Sequence, residues 1–252
     1  LFALKIRAEQ AGAEHLGHLV ANQAIRRTVY QAVSDCADVQ LLCDASVRTI
    51  EQRAGEVKLV LHDGQVLQPR LLVAADSRFS ETRRQLGIGA QLKDFGKSML
   101  VCRMQHEREH QQIAWEWFGY GQTLALLPLN GRQSSTVLTL PPREIERLQK
   151  LDEASFAREM ERRFDRRLGA MQLVSSRHAY PLVGAYARRM VGHRCALLGD
   201  AAVGMHPVTA HGFNFGLIGV QLLSDALLAT HGKRRDIGAP APLARYERQL
   251  RL

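Results

Sequence analysis

The sequence predicts an α/β fold in which a parallel-strand layer is interrupted by an antiparallel sheet. Two short apolar runs, Leu71-Leu72-Val73-Ala74-Ala75 and Cys195-Ala196-Leu197-Leu198, have the length and texture of strands buried on both faces. The first ends on Asp76, and the second runs through Gly199 into Asp200. Between them, residues 98–104, 113–118, 123–129 and 135–140 are short strand-like runs separated by turn residues, the pattern of an antiparallel sheet. After the second carboxylate, Leu217, Ile218, Val220, Leu222, Leu223, Ala226, Leu227 and Leu228 recur at helical spacing and predict a buried helix.

The elements follow in order. Residues 1–6 alternate apolar and polar and predict an edge strand, and residues 17–20 a second, so that 1–21 reads as edge strands. From Asn22 the period changes. Ala24, Ile25, Val29, Ala32 and Val33 share one helical face, with Asn22 as N-cap and an end before Asp38. Strands are predicted at 39–43, 45–52, 56–61 and 66–67, with His62-Asp63-Gly64-Gln65 as a hairpin turn. Ser80 is placed to cap a short helix behind Asp76. In the antiparallel region Trp115 and Trp117 alternate with Glu116, which leaves open whether they fill a core or line a pocket. Pro141-Pro142 ends the sheet, and residues 143–167 predict one charged helix striped by Ile145, Leu148, Leu151, Phe156, Met160 and Phe164. Residues 173–180 return as a strand, 232–242 form a breaker-rich loop, and 243–252 begin a last helix.

With 252 residues, 46% of them hydrophobic, the chain supports a sizeable core. No run of about 18 apolar residues occurs, so no membrane-spanning helix is expected. Cys36, Cys43, Cys102 and Cys195 form no Cys-x-x-Cys pair, which signals no metal site and fits reduced thiols in a cytoplasmic protein. The net charge of +9 comes from dispersed basic residues without a zinc-finger or aromatic RNA-binding signature, so no nucleic-acid partner is expected. A solvated basic surface is the ordinary reading; affinity for an anionic membrane is the sharper one. The chain opens on Leu1 rather than Met and reads as a fragment.

The stretch from Gly199 to Gly216 concentrates the chemistry. A strand delivers the Asp200 carboxylate to a tight turn, and a helix starts near Gly212, Phe213 and Asn214. The carboxylate accepts hydrogen bonds from ligand hydroxyls, while free N–H groups and the helix dipole favour an electron-rich edge. Gly212 and Gly216 permit a flat ring to approach the backbone. Ordinary turn glycines are the alternative.

Written out, Gly199-Asp200-Ala201-Ala202, His206-Pro207, Gly212, Asn214 and Gly216 resemble the second FAD motif of the class A flavoprotein aromatic hydroxylases. Within that family the chain is most similar to the ubiquinone-biosynthesis hydroxylases, and Ala210-His211-Gly212, in place of the usual Gly-Gln-Gly, resembles the 5-demethoxyubiquinol hydroxylase branch. Asp76, Ser80, Arg83, Leu86 and Gly87 are similar to the family's Asp-Gly motif, which lies near the FAD pyrophosphate and the approach of the nicotinamide nucleotide. Ser77 stands where glycine is usual, which puts close backbone approach there in question.

The resemblance implies an FAD/NAD(P)-binding Rossmann-like domain with an inserted antiparallel substrate domain, like para-hydroxybenzoate hydroxylase. Residues 22–92 and 181–252 would form the middle and later parts of the FAD-binding domain, and 93–180 the substrate domain. It implies a monooxygenase that uses FAD, NAD(P)H and O2, through a flavin C4a-hydroperoxide, on an aromatic small molecule such as a prenylated quinol precursor, with peripheral association at the inner membrane or with a biosynthetic complex. Gly199, Asp200, Ala201, Pro207, Gly212, Phe213, Asn214, Asp76, Arg83 and Asn22 would contact the cofactor. His206, Pro207 and His211 would position ring and substrate. The family's GxGxxG run does not occur in these residues and is expected before Leu1, so the chain alone is expected to bind FAD weakly or not at all. Two rivals remain: another reaction on the same scaffold, and a non-catalytic scaffold or partner-binding subunit.

Overall fold

The structure, a computed structural model, describes residues 4–206 and 211–251. Among the described residues of 4–21 there is no strand, contrary to the expected edge strands. A 3-10 turn at Ala8–Ala11 replaces them, closed by Gly12 in the left-handed region and by the Gln10 side chain accepting from Arg7 N–H at 2.9 Å. An edge strand needs a neighbour for its N–H and C=O groups, and no described strand pairs with this segment. Helix α1 (Asn22–Ser34) forms where the period predicts it. Its N-cap is Ala21 without a side-chain bond, so Asn22 is the first helical residue and not the cap.

β1 (Val47–Gln52), β2 (Val57–Leu61) and β3 (Val66–Leu67) form an antiparallel sheet, with Asp63 Oδ1 accepting from Gln65 N–H in the hairpin turn. The strand expected at 39–43 is absent; those residues are exposed and carry no strand. Next come β4 (Leu72–Ala74), α2 (Glu81–Gln85), β5 (Ala90–His106), β6 (Trp115–Gly119), β7 (Gln122–Pro128) and β8 (Gln133–Leu140). The single helix expected over 143–167 is two, α3 (Pro142–Lys150) and α4 (Glu153–Arg163). Leu151 adopts extended backbone and Asp152 caps the second helix, accepting from Ser155 N–H at 2.9 Å. Likewise the strand expected over 173–180 is two, β9 (Met171–Leu173) and β10 (His178–Ala187). The chain ends with β11 (Val191–Gly192), β12 (Cys195–Leu197), β13 (Val203–Gly204), α5 (Gly212–His231) and α6 (Pro240–Leu250).

The chain divides into two compact units. The first comprises Leu1–Leu42 and Lys97–Pro181. Its antiparallel sheet runs β5-β8-β7-β6, and alternation puts Leu100, Met104, Leu126 and Leu138 on one face beneath Ile145 and Leu148 of α3 and Phe156 and Met160 of α4. Each is essentially removed from water, a burial that contributes about 1.5–3 kcal/mol per side chain. Trp115 and Trp117 pack against this core, with the Arg167 guanidinium 4.1 Å and 5.3 Å from their ring centroids. Both tryptophans are therefore structural, and Glu116 and Phe118 point to the opposite face.

One buried polar cluster in this unit carries a pH prediction. His106 Nδ1 lies 2.6 Å from Arg108 O and Nε2 3.0 Å from Ser134 Oγ, so the neutral ring donates to the carbonyl and accepts from the hydroxyl. Burial lowers its pKa, and the neighbouring His110 and Arg132 lower it further against the pull of the Arg108 carbonyl. The unfolded chain, titrating near 6.5, then takes up the proton first. Stability is full above about pH 6.5 and falls as the pH drops through the lower folded value. Melting temperatures of wild type and His106→Gln between pH 8 and pH 5 will diverge least at the acid end; a wild-type midpoint insensitive to pH contradicts this.

The second unit comprises Cys43–Gly96 and Leu182–Leu252. β12 is the central strand of the order β11-β12-β4, parallel to β4 and antiparallel to β11. Cys195, Ala196 and Leu197 are wholly buried, and Tyr246 of α6 donates its hydroxyl to Leu197 O at 2.7 Å. Arg194, also buried, donates to Ala54 O and Arg70 O and pairs with Asp236. Helix α5 packs on α6 and on the turn after β12. It is not the buried helix expected. Gly219, Leu223 and Ala226 are buried, whereas Leu217, Ile218, Val220 and Leu228 are 45% to 67% exposed. By length and composition α5 also passes as a candidate membrane span, although apolar residues were not expected to reach that density anywhere in the chain.

Candidate functional site

The register of the parallel pair sets the site. Cys195, Ala196 and Leu197 stand opposite Leu72, Val73 and Ala74, and Leu198 N–H extends the ladder to Ala74 O at 2.8 Å. Parallel strands end at the same edge of the sheet, so the turns carrying Asp76 and Asp200 emerge side by side. Ligands of open α/β sheets bind outside such carboxyl ends.

Gly199 starts the second turn at φ +57°, in the left-handed region where a Cβ is disfavoured, and Gly199–Ala201 forms a 3-10 turn. The turn presents Asp200, whose side chain is 37% exposed. Its Oδ2 accepts from Arg78 Nη2 at 2.9 Å, while Arg78 Nη1 donates to Val183 O at 2.8 Å. No described residue donates to Oδ1. Ala201, beside it, is buried.

The first turn is held by its own polar groups. Ser80 caps α2, accepting from Arg83 N–H at 2.9 Å and donating to Asp76 Oδ1 at 2.5 Å, while Thr82 N–H reaches Asp76 Oδ2 at 3.3 Å. Burial works against the ionised Asp76 carboxylate, yet these hydrogen bonds outweigh it and hold its pKa below the ordinary value. Ser77 has no positive φ, so serine fits this turn without backbone strain.

Arg83, expected to contact the cofactor, does not face outward. It is 3% exposed, with Nη1 donating to Ala201 O at 2.8 Å and Nη2 to Arg78 O at 3.1 Å. Two carbonyls turned inward there need donors, and the guanidinium supplies both. Its Nε lacks a hydrogen-bond partner among the described residues. Arg83 therefore ties the two turns together from behind, and the cation at the surface of the site is Arg78, which sequence reasoning missed. Its only local signal is a basic residue between Asp76 and Ser80. The confirming feature lies far away: a Cβ on Gly204 would stand 2.8 Å from Arg78 Cβ, so glycine makes room for it.

Gly212, Phe213 and Asn214 begin α5, and their N–H groups precede the first intrahelical bond, which runs from Phe215 N–H to His211 O at 2.8 Å. His211 occupies the N-cap position without a side-chain cap, and His211, Phe213 and Asn214 are exposed. Gly216 brings the helix against the turn: a Cβ there would lie 3.9 Å from Gly199 Cα. Half-buried His206 stacks edge-on against Phe95, ring centroids 4.6 Å apart. Pro207 lies outside the described residues. The second unit thus holds Asp76, Arg83, Gly199, Asp200, Ala201, His206 and the start of α5, whereas Asn22 is an exposed residue of the first unit.

An acceptor carboxylate, a fixed cation beside it and helix-start N–H groups without intrahelical partners suit a polyhydroxylated ligand with an electron-rich ring edge. Comparison with known proteins bears on the family and its cofactor. A model of the FAD binding domain family matches residues 6–249. The chain is 46% identical over 234 residues to the ubiquinone hydroxylase UbiM of Neisseria meningitidis serogroup C, covering 93% of this chain and 51% of that protein. It is 37% identical over 247 residues to the ubiquinone hydroxylase UbiL of Rhodospirillum rubrum, covering 98% and 57%. The chain therefore spans about half the length of these curated relatives. Among solved structures, PqsL of Pseudomonas aeruginosa in complex with 2-aminobenzoylacetate superposes with a TM-score of 0.78 at 22% identity, over 90% of this chain and 64% of that one. HpxO of Klebsiella pneumoniae, complexed with FAD and uric acid, gives 0.67 at 21%, over 90% and 58%. At these identities the two structures speak for the fold alone: a Rossmann-like FAD-binding scaffold with an antiparallel insert.

Proposed function

The chain belongs to the FAD binding domain family, and from that premise we propose that it carries the flavin-facing part of a monooxygenase that hydroxylates an aromatic ring, a prenylated ubiquinone precursor, with NAD(P)H and O2. The observation that carries this reading is the Asp200 turn beside the N-terminus of α5. Asp200 Oδ1 would accept from ribityl hydroxyls, and the N–H groups of Gly212, Phe213 and Asn214 would meet the pyrimidine edge of the ring. Gly199 and Ala201 shape that turn; Arg83 holds it from behind, and Asp76 holds the neighbouring turn through Ser80 and Thr82. Bound FAD would supply the chemistry, passing electrons from the nicotinamide nucleotide to O2 so that one oxygen atom can be transferred. The protein's part is to seat the ring, exclude water and orient the substrate.

His206 and Pro207 would shape the wall beside the ring, and His211 at the head of α5 would lie near ring or substrate. In the first unit, the sheet face turned away from α3 and α4 is where an apolar aromatic substrate would lie. Glu116, Ala125, Val137 and Val101 form one row across that face. Burial raises the Glu116 pKa, as expected for a carboxyl on an apolar surface. The dispersed positive charge would assist peripheral association of a cytoplasmic enzyme with an anionic inner-membrane surface.

The test is turnover of the full-length protein with a prenylated phenol. Mass analysis will find one oxygen atom from O2 in the product, with NAD(P)H consumed in step. NAD(P)H consumption without a hydroxylated product would point to another reaction on the scaffold; absence of bound FAD would remove the reading altogether.

A further inference from the structure

We propose that Arg78 is a positioning residue of the flavin site: it clamps one oxygen of Asp200 so that the other is presented to the ligand. This rests on the reading of Asp200 as the ribityl acceptor. Arg78 is anchored at three points. Nη1 donates to Val183 O at 2.8 Å, Nη2 to Asp200 Oδ2 at 2.9 Å, and its own carbonyl is held by Arg83 Nη2 at 3.1 Å. A planar fork fixed at two of its nitrogens sets the rotamer of its carboxylate partner, which a lone lysine ammonium does less well.

The surroundings support a clamp over a casual surface pair. Arg78 and Asp200 side chains are only 29% and 37% exposed, so the pair is partly removed from solvent screening. Gly204 lies immediately against Arg78 Cβ, where any larger residue would collide with it, so the backbone there is cut to admit the arginine. Because Oδ2 is taken by Arg78 while no described donor reaches Oδ1, the carboxylate has one oriented acceptor to offer. Holding that acceptor in advance removes an ordering loss that binding would otherwise incur.

The experiment measures FAD dissociation constants by flavin fluorescence on the full-length protein, for wild type, Arg78→Ala, Arg78→Lys, Asp200→Ala and the double variant. Arg78→Ala is expected to weaken binding about tenfold, the scale of one charge-assisted contact. Arg78→Lys should recover part of the loss. In the Asp200→Ala background, removing Arg78 should change affinity by less than about twofold, because the clamp then has nothing to hold. Wild-type affinity in Arg78→Ala overturns the proposal, as does full additivity in the double variant. Tighter binding also overturns it, since Arg78 would then compete with the ligand for Asp200. Should Arg78→Ala not fold, as judged by thermal melting, Arg78→Gln replaces it. Equal affinity in the Gln, Lys and wild-type proteins is then the overturning result. Unchanged affinity in Asp200→Ala sinks the ribityl reading and the proposal with it, whereas additivity removes the clamp alone.

Discussion

Asp200→Ala will raise the FAD dissociation constant of the full-length protein by about 10- to 100-fold. That range corresponds to losing one hydrogen bond to a charged acceptor, which contributes about 1.5–3 kcal/mol. The substitution also leaves the Arg78 guanidinium without its carboxylate, which adds to the loss because that pair is partly shielded. Titration of apoprotein with FAD, followed by flavin fluorescence, checks it. An affinity within about twofold of wild type would remove Asp200 from the site.

Arg83→Met should have the largest effect on stability. The side chain is buried, and its loss leaves Ala201 O and Arg78 O without their donor. Unsatisfied buried carbonyls cost about 1–3 kcal/mol each, so a loss of about 3–5 kcal/mol in urea denaturation is expected. Removal of the buried cation, whose Nε already lacks a partner, offsets part of this. A loss below about 1 kcal/mol would mean that the two turns are held by something else.

What was legible in the chain was local. The parallel strands could be read because Leu72–Ala74 and Cys195–Leu197 are short, apolar and bounded by turn residues. The Ser80 cap was legible because a cap needs only the next three residues. The break between α3 and α4 had its signal in Asp152 ahead of Ser155, overridden by the continuous apolar stripe. The roles of Arg78 and Arg83 were not legible, because their partners Asp200 and Ala201 lie 122 and 118 residues away. Nothing near an arginine in sequence says whether it turns toward ligand or backbone. The exposed side of α5 escaped for a related reason: Leu217 and Leu223 are equally apolar, and only packing against α6 and the turn decides which is covered. Residues 39–43 show the converse, strand-forming residues that form no strand.

The second unit is interrupted by the whole of Lys97–Pro181. Its two turns therefore belong to segments that meet only after a long loop has closed, and the β4–β12 ladder is the seam. Closing entropy grows only with the logarithm of loop length, and doubling the intervening stretch costs about 0.6 kcal/mol. Evolution can thus lengthen, shorten or exchange the inserted sheet at little expense to the seam.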